Sequence, residues 1–143
     1  MTTAEYELCV ASQLGKLAEI SDFVGEAATR AGLDEGQVFE VQMATDEACT
    51  NSMEHAYEGR EDGEVHVCCF IENNSFVVRI TDFGKPFEPA EVPQPDITLP
   101  LEERSIGGLG LFLIYRLVDD VEFARDVGGG NQVTLRKHRS KEE

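Results

Sequence analysis

All five prolines of this 143-residue chain (Pro86, Pro89, Pro93, Pro95 and Pro100) fall between Lys85 and Ile106, and no helix or strand period survives across that stretch. A loop of that length inside a compact domain is uncommon, and where one occurs it is usually a functional lid or a disordered segment. The fold must therefore be assembled from what stands on either side of it. On the N-terminal side, residues 5–11 alternate, with Tyr6, Leu8 and Val10 on one face and Glu5, Glu7 and Cys9 on the other, a short half-buried strand. Ser12 is placed to cap a helix in which Leu17, Ile20, Val24, Ala27 and Ala31 recur at three and four residues, ended by Gly32. Asp34 is placed to cap a second helix, from about Glu35 to Tyr57, through Val38, Val41, Ala44 and Ala48. After a charged turn from Glu58 to Gly63, two alternating strands meet at Asn73-Asn74.

Beyond the loop, Gly107 to Gly110 opens a third helix with Leu111, Ile114, Tyr115 and Val118 as its apolar side. Val121 to Arg125 and Gln132 to Lys137 read as two strands around Gly128-Gly129-Gly130. The order β-α-α-β-β-loop-α-β-β predicts an α+β fold: a two-layer sandwich in which helices cover one face of a mixed sheet. The length suits one domain over 1–143, with a lid at about 85–106 and a charged tail at about 139–143.

The 28 acidic against 12 basic residues leave a formal net charge of −16. That balance argues against nucleic acid, whose phosphates are held by Lys and Arg, and against an anionic membrane surface. It suits a soluble protein, or one whose partner carries a basic patch. No apolar run approaches the roughly 20 residues of a membrane span, and Met1 to Val10 lacks the basic-then-apolar order of a signal peptide. Cys9, Cys49, Cys68 and Cys69 contain no C-x-x-C pair, and Cys68 and Cys69 must face opposite sides of a strand. They read as buried thiols in a reducing, cytoplasmic compartment rather than as zinc ligands.

Three features carry chemistry. Glu47, Asn51 and His55 stand at successive i+4 steps and share one helix face. A carboxylate and an amide oxygen one turn apart suit Mg²⁺, which takes few protein ligands beside phosphate oxygens; alternatively the carboxylate takes a proton from a hydroxyl. Taken alone, the triplet is equally a solvated helix face. Asp82-Phe83-Gly84 ends an apolar strand with a carboxylate able to accept the amine of adenine, beside a glycine that lets backbone approach the ring; alone it also reads as a strand-ending turn. Arg104-Ser105-Ile106-Gly107-Gly108-Leu109-Gly110 puts three glycines at a helix start, where backbone N–H groups attract anions and Arg104 adds a charge. It is neither a P-loop nor a dinucleotide fingerprint.

In this order the features resemble the GHKL ATPase superfamily with its Bergerat fold and, within it, the anti-sigma-factor serine/threonine kinases of the RsbW and SpoIIAB type. The resemblance spans roughly residues 5–138. Thr45 to Tyr57 is similar to that family's N box, Asp82 to Gly84 to its G1 box, and Gly107 to Gly110 to its G2 box. By that resemblance Glu47 is the general base, Asn51 the Mg²⁺ ligand and Asp82 the adenine contact followed by Gly84. Arg104 then reaches the γ-phosphate, Gly107, Gly108, Leu109, Gly110 and Leu111 cradle the phosphates, and His55 is either structural or near them. Two positions depart from the family pattern: Pro86 replaces a second glycine, and Asn131-Gln132 follow Gly130 where a threonine is usual.

The resemblance implies an ATP- and Mg²⁺-dependent serine/threonine protein kinase, with a STAS-type anti-anti-sigma partner as substrate. It also implies regulation of a sigma factor by partner switching, and a homodimer. The competing reading is a nucleotide-gated binding module with little or no transfer, in which ATP orders the lid and the lid sets partner affinity. A stand-alone ATP-hydrolysing subunit is disfavoured, because no element is left to transmit motion.

Overall fold

The computed structural model describes residues 5–58, 60–85, 113–125 and 130–139. Strand β1 (Tyr6–Ala11) leads through a 3-10 turn (Leu14–Lys16) into α1 (Leu17–Arg30) and α2 (Glu35–Asn51), which continues as a π-helical segment (Ser52–Ala56). Strands β2 (Glu64–Glu72) and β3 (Ser75–Asp82) follow, then a helical turn over 113–117, and β4 (Asp120–Arg125) and β5 (Asn131–His138) close the chain. The sheet order is β1-β2-β3-β5-β4, and every neighbouring pair is antiparallel.

The α+β expectation is met, but the sheet is antiparallel throughout rather than mixed. The two helices between β1 and β2 pack on each other, and the chain re-enters the sheet reversed. Asn73 and Asn74 turn β2 into β3 with φ of 51° and 64°, the left-handed pair that a two-residue hairpin matching the strand twist requires.

Alternation decides which face is buried. Val65, Val67 and Cys69 of β2, Phe76, Val78 and Ile80 of β3, and Val133 and Leu135 of β5 all point to one side and are buried. Over them lie Ile20, Val24, Ala27 and Ala28 of α1 and Val41, Ala44, Ala48 and Cys49 of α2. Each fully buried Val, Ile or Phe contributes about 1.5–3 kcal/mol of transfer free energy. The helices approach closely where residues are small: a Cβ on Gly25 would strike the side chain of Gln42, whose amide instead donates to the Ser21 carbonyl at 2.9 Å. Among the described residues, no helix covers the opposite face of the sheet.

Helix α2 begins at a capping box. Asp34 Oδ1 accepts from Gln37 N at 2.8 Å, while Gln37 Oε1 accepts from Asp34 N at 3.1 Å. Helix α1 differs from expectation. Its N-cap is Lys16, and Ser12 is buried with a hydroxyl that finds no partner. The 3-10 turn moves the helix start four residues away, and Ser12 N bonds instead to the Gly63 carbonyl at 2.8 Å. Gly32 ends α1 as expected, at φ 98°.

Tyr115, expected on an apolar side, is 49% exposed, whereas Ile114 and Val118 are buried. Nor are all the thiols buried: Cys49 and Cys69 are, Cys9 is exposed and Cys68 is intermediate. Strand alternation puts Cys9 and Cys68 on the face that the described helices leave bare.

Candidate functional site: a cleft between α2 and the ends of β3 and β5

The end of β3 is fixed by its neighbours. Asp82 stands directly opposite Asn131, the first residue of β5. It is buried, and its Oδ1 accepts two hydrogen bonds, from Gly84 N at 3.0 Å and from Asn131 Nδ2 at 2.8 Å. Asn131 Nδ2 also donates to the Lys85 carbonyl at 2.8 Å, so one amide ties β5 to the turn beyond β3. Both bonds to Asp82 fall on Oδ1; among the described residues none falls on Oδ2.

That turn is held from the other side by the end of the second helix. The π-helical segment closes with Tyr57 N donating to the Ser52 carbonyl at 3.0 Å, five residues back. Such widened turns recur at functional sites. Here the Ala56 carbonyl receives Lys85 N at 2.9 Å. The Tyr57 hydroxyl accepts from Phe83 N at 2.7 Å and donates to the Glu64 carbonyl at 2.6 Å. Gly84 must be glycine for a backbone reason: a Cβ there would fall on the Ala56 carbonyl. The close approach seen at Gly84 is to the end of the second helix.

Between these elements lies a half-open cleft. Ala48, Ile80, Ile114 and Val133 give it apolar walls, and Asn51, Asp82 and Asn131 supply convergent polar groups. This is the character of a site for a flat, partly apolar ligand with a few hydrogen-bonding edges.

Of the expected site residues, Asn51 and Asp82 line this cleft, whereas Gly84 donates its N–H to Asp82 and is not among the lining residues. Glu47 lies one turn before Asn51 on α2 and is not among the residues lining the cavity. Burial first, then the charges of Asp46 and Glu54, push the Glu47 carboxyl pKa above its ordinary value. Burial alone does the same to Asp46. A raised pKa moves a carboxylate toward the range in which it serves as a base near neutral pH. The backbone of His55 lies in the π-helical segment. Its side chain, together with Arg104, Gly107, Gly108, Leu109, Gly110 and Leu111, lies outside the described residues.

Two residues were missed from sequence. Asn131 stood only as a departure from a pattern, because its place opposite Asp82 follows from a β3–β5 register that no hairpin turn fixes. Tyr57 carried the signal of an aromatic residue with a polar tip at the end of an apolar helix face.

Residues 10–137 match the sequence profile of the histidine kinase-like ATPase domain. The chain belongs to that family. Among curated members it is 40% identical over 105 residues to the serine-protein kinase RsbW of Listeria monocytogenes serovar 1/2a, a match covering 71% of this chain and 67% of that protein. It is 31% identical over 120 residues to the serine-protein kinase RsbW of Oceanobacillus iheyensis, covering 81% and 75%. Among solved structures, the RsbU and RsbW domains of a Mycobacterium tuberculosis protein superpose with a TM-score of 0.69 at 16% identity, over 98% of this chain and 34% of that one. The chain thus spans about a third of that protein, and the likeness there is one of fold. The histidine kinase-like ATPase assignment agrees with the resemblance read from the N and G1 boxes.

Proposed function

We propose that this chain is an ATP-dependent serine/threonine protein kinase that phosphorylates a STAS-type anti-anti-sigma partner and regulates a sigma factor by partner switching. The observation that carries the reading is that Asp82 and Asn51 line one apolar-walled cleft. The names of its relatives, serine-protein kinase RsbW, support the same activity.

In this reading Asp82 Oδ2 accepts the exocyclic amine of adenine, while Oδ1 stays bonded to Gly84 N and Asn131 Nδ2. Ile80 and Val133 flank the base. The donor set fits a hard cation, because Asn51 lines the cleft and a carboxylate stands one turn away. Mg²⁺, held by Asn51 when bound, supplies charge neutralisation for the phosphates. Glu47 takes the proton of the partner's serine hydroxyl as its oxygen attacks the γ-phosphorus, and ADP leaves. Positioning and charge stabilisation account for most of such a transfer. The stretch 85–106 acts as the lid, Arg104 reaches the γ-phosphate, and Gly107 to Leu111 cradle the phosphates. The protein works as a cytoplasmic homodimer. Among the described residues, no helix is long and apolar enough to cross a membrane.

The test is transfer from γ-labelled ATP with Mg²⁺ to a STAS-domain partner, alongside equilibrium ATP binding, for wild type, Glu47→Ala, Asn51→Ala and Asp82→Asn. Label should reach a partner serine and be lost in all three variants. Asp82→Asn keeps an acceptor at Oδ1 but turns a donor toward the adenine amine, so ATP binding should weaken by roughly 10–100-fold, the equivalent of about 1.5–3 kcal/mol. Glu47→Ala should still bind ATP. Tight ATP binding with no label on any STAS partner would replace the kinase with a nucleotide-gated binder.

A further inference from the structure

Apart from the cleft, the sheet face turned away from α1 and α2 gathers a second set of chemically apt side chains. Cys9 of β1 stands directly opposite His66 of β2, and Glu64 lies two residues before His66 on the same face. One ligand atom from each of the three lies within 4.8 Å of the other two. His66 Nε2 and Glu64 Oε1 are 3.2 Å apart, and their side chains are 45% and 63% exposed. The imidazole is also steadied by the Phe83 ring, edge-on at 76° with centroids 5.3 Å apart.

We propose that Cys9, Glu64 and His66 form a binding site for a zinc-class divalent cation on the face of the sheet opposite α2. Thiolate, imidazole and carboxylate are together the donors of zinc sites, at about 2.3, 2.0–2.1 and 2.0–2.2 Å from the metal. Those bond lengths in a tetrahedron separate the donors by roughly 3.3–3.8 Å, so the cluster needs to contract by only about 1 Å. The backbone need not move, since two ligands form a cross-strand pair and the third is their neighbour on β2. Three protein ligands leave one position to water. Mg²⁺ and Ca²⁺ prefer all-oxygen sets, so the thiol separates this site chemically from the one at Asn51. The site does not depend on the kinase reading. An adjacent group of Glu5, Glu7 and Cys68 also gathers its ligand atoms within 4.8 Å, but it lacks an imidazole.

The experiment is titration of the full chain, without nucleotide, with Co²⁺ and then Zn²⁺, following the thiolate-to-cobalt charge-transfer absorption. One equivalent should develop the band in wild type, and Zn²⁺ should abolish it. Cys9→Ser should lose the band, and His66→Ala and Glu64→Gln should weaken cobalt binding more than tenfold. Outer-sphere substitutions already cost about 10–100-fold at metal sites. Cys68→Ser should match wild type. No band in wild type, or a band that survives Cys9→Ser, overturns the proposal; so does one that vanishes in Cys68→Ser. X-ray absorption of the zinc-loaded wild-type protein checks the same point without any variant: one sulfur with nitrogen and oxygen neighbours is expected, and an all-oxygen shell sinks it.

Discussion

The carboxylate of Glu47 is held at a cost to the fold. Its pKa is raised by burial and by the charges of Asp46 and Glu54, so folding favours the neutral acid over the anion. The sign follows from linkage: the stabilisation is complete below the ordinary value of 4.5 and is lost as pH rises through the raised one. At neutral pH the folded protein therefore carries an anion it would rather protonate. Glu47→Gln removes that charge at nearly constant shape, so the variant should melt higher than wild type at pH 7. The gain should be no more than about 2–4 °C, the shift that roughly 1 kcal/mol gives a domain of this size, because a partly exposed carboxylate is screened by solvent. The difference should shrink toward pH 4, while phosphoryl transfer is lost at every pH. Thermal melts of both proteins at pH 4 and pH 7 decide it; a variant that melts lower at pH 7 would remove Glu47 from the role of a strained base. The spacing of Glu47 and Asn51 was legible in sequence because a helix repeats every 3.6 residues. Asn131 was not, because its role depends on a register between strands about 50 residues apart.

At the scale of elements, the cleft depends on how the second helix ends. Tyr57 sits at the exit of the π-helical segment and joins two chain segments through one hydroxyl, taking Phe83 N and giving to the Glu64 carbonyl. Tyr57→Phe keeps the ring against Gly63 but strands both backbone groups, at about 1–3 kcal/mol if they stay dry. The turn carrying Gly84 should loosen, so ATP affinity should fall several-fold as well as the melting temperature. A control separates the two effects: Asp34→Ala removes the cap at the far end of α2, should cost about 1 kcal/mol, and should leave ATP affinity unchanged. Calorimetric ATP titration of both variants gives the answer, and equal affinity in the two would show that the Tyr57 bridge does not position the site. The helix itself, its Asp34 cap and the Asn73-Asn74 hairpin follow from local rules, and so were readable. The π-helical segment depends on a tertiary contact between Ala56 and Lys85, the direction of the strands on the helical crossover, and the exposure of Cys9 on which sheet face the helices choose. None of these is a local property.

Over the whole molecule the dominant electrostatic fact is the charge of −16. Attractive pairs exist: Arg136 is ringed by Glu72, Asp120 and Glu122 at 3.0–3.5 Å, and Lys137 meets Glu40 at 2.7 Å. Their acidic partners are exposed to solvent, where a pair contributes about 0–1 kcal/mol, and there are too few cations to balance the acids. Self-repulsion in the compact state should therefore outweigh them. Screening separates the two contributions, because the Debye length falls from about 30 Å at 0.01 M to about 8 Å at 0.15 M salt. Long-range repulsion is cut sharply over that range, whereas contacts near 3 Å are cut little. Raising NaCl from 0.01 to 0.15 M at pH 7, in chelator and without nucleotide, should thus raise the melting temperature, and lowering the pH toward 5 should reduce the salt effect as carboxylates protonate. The same acidic field should make association with a basic partner slower as salt rises. A melting temperature that falls with salt would mean that the Arg136 and Lys137 pairs, not net charge, govern the stability of the fold.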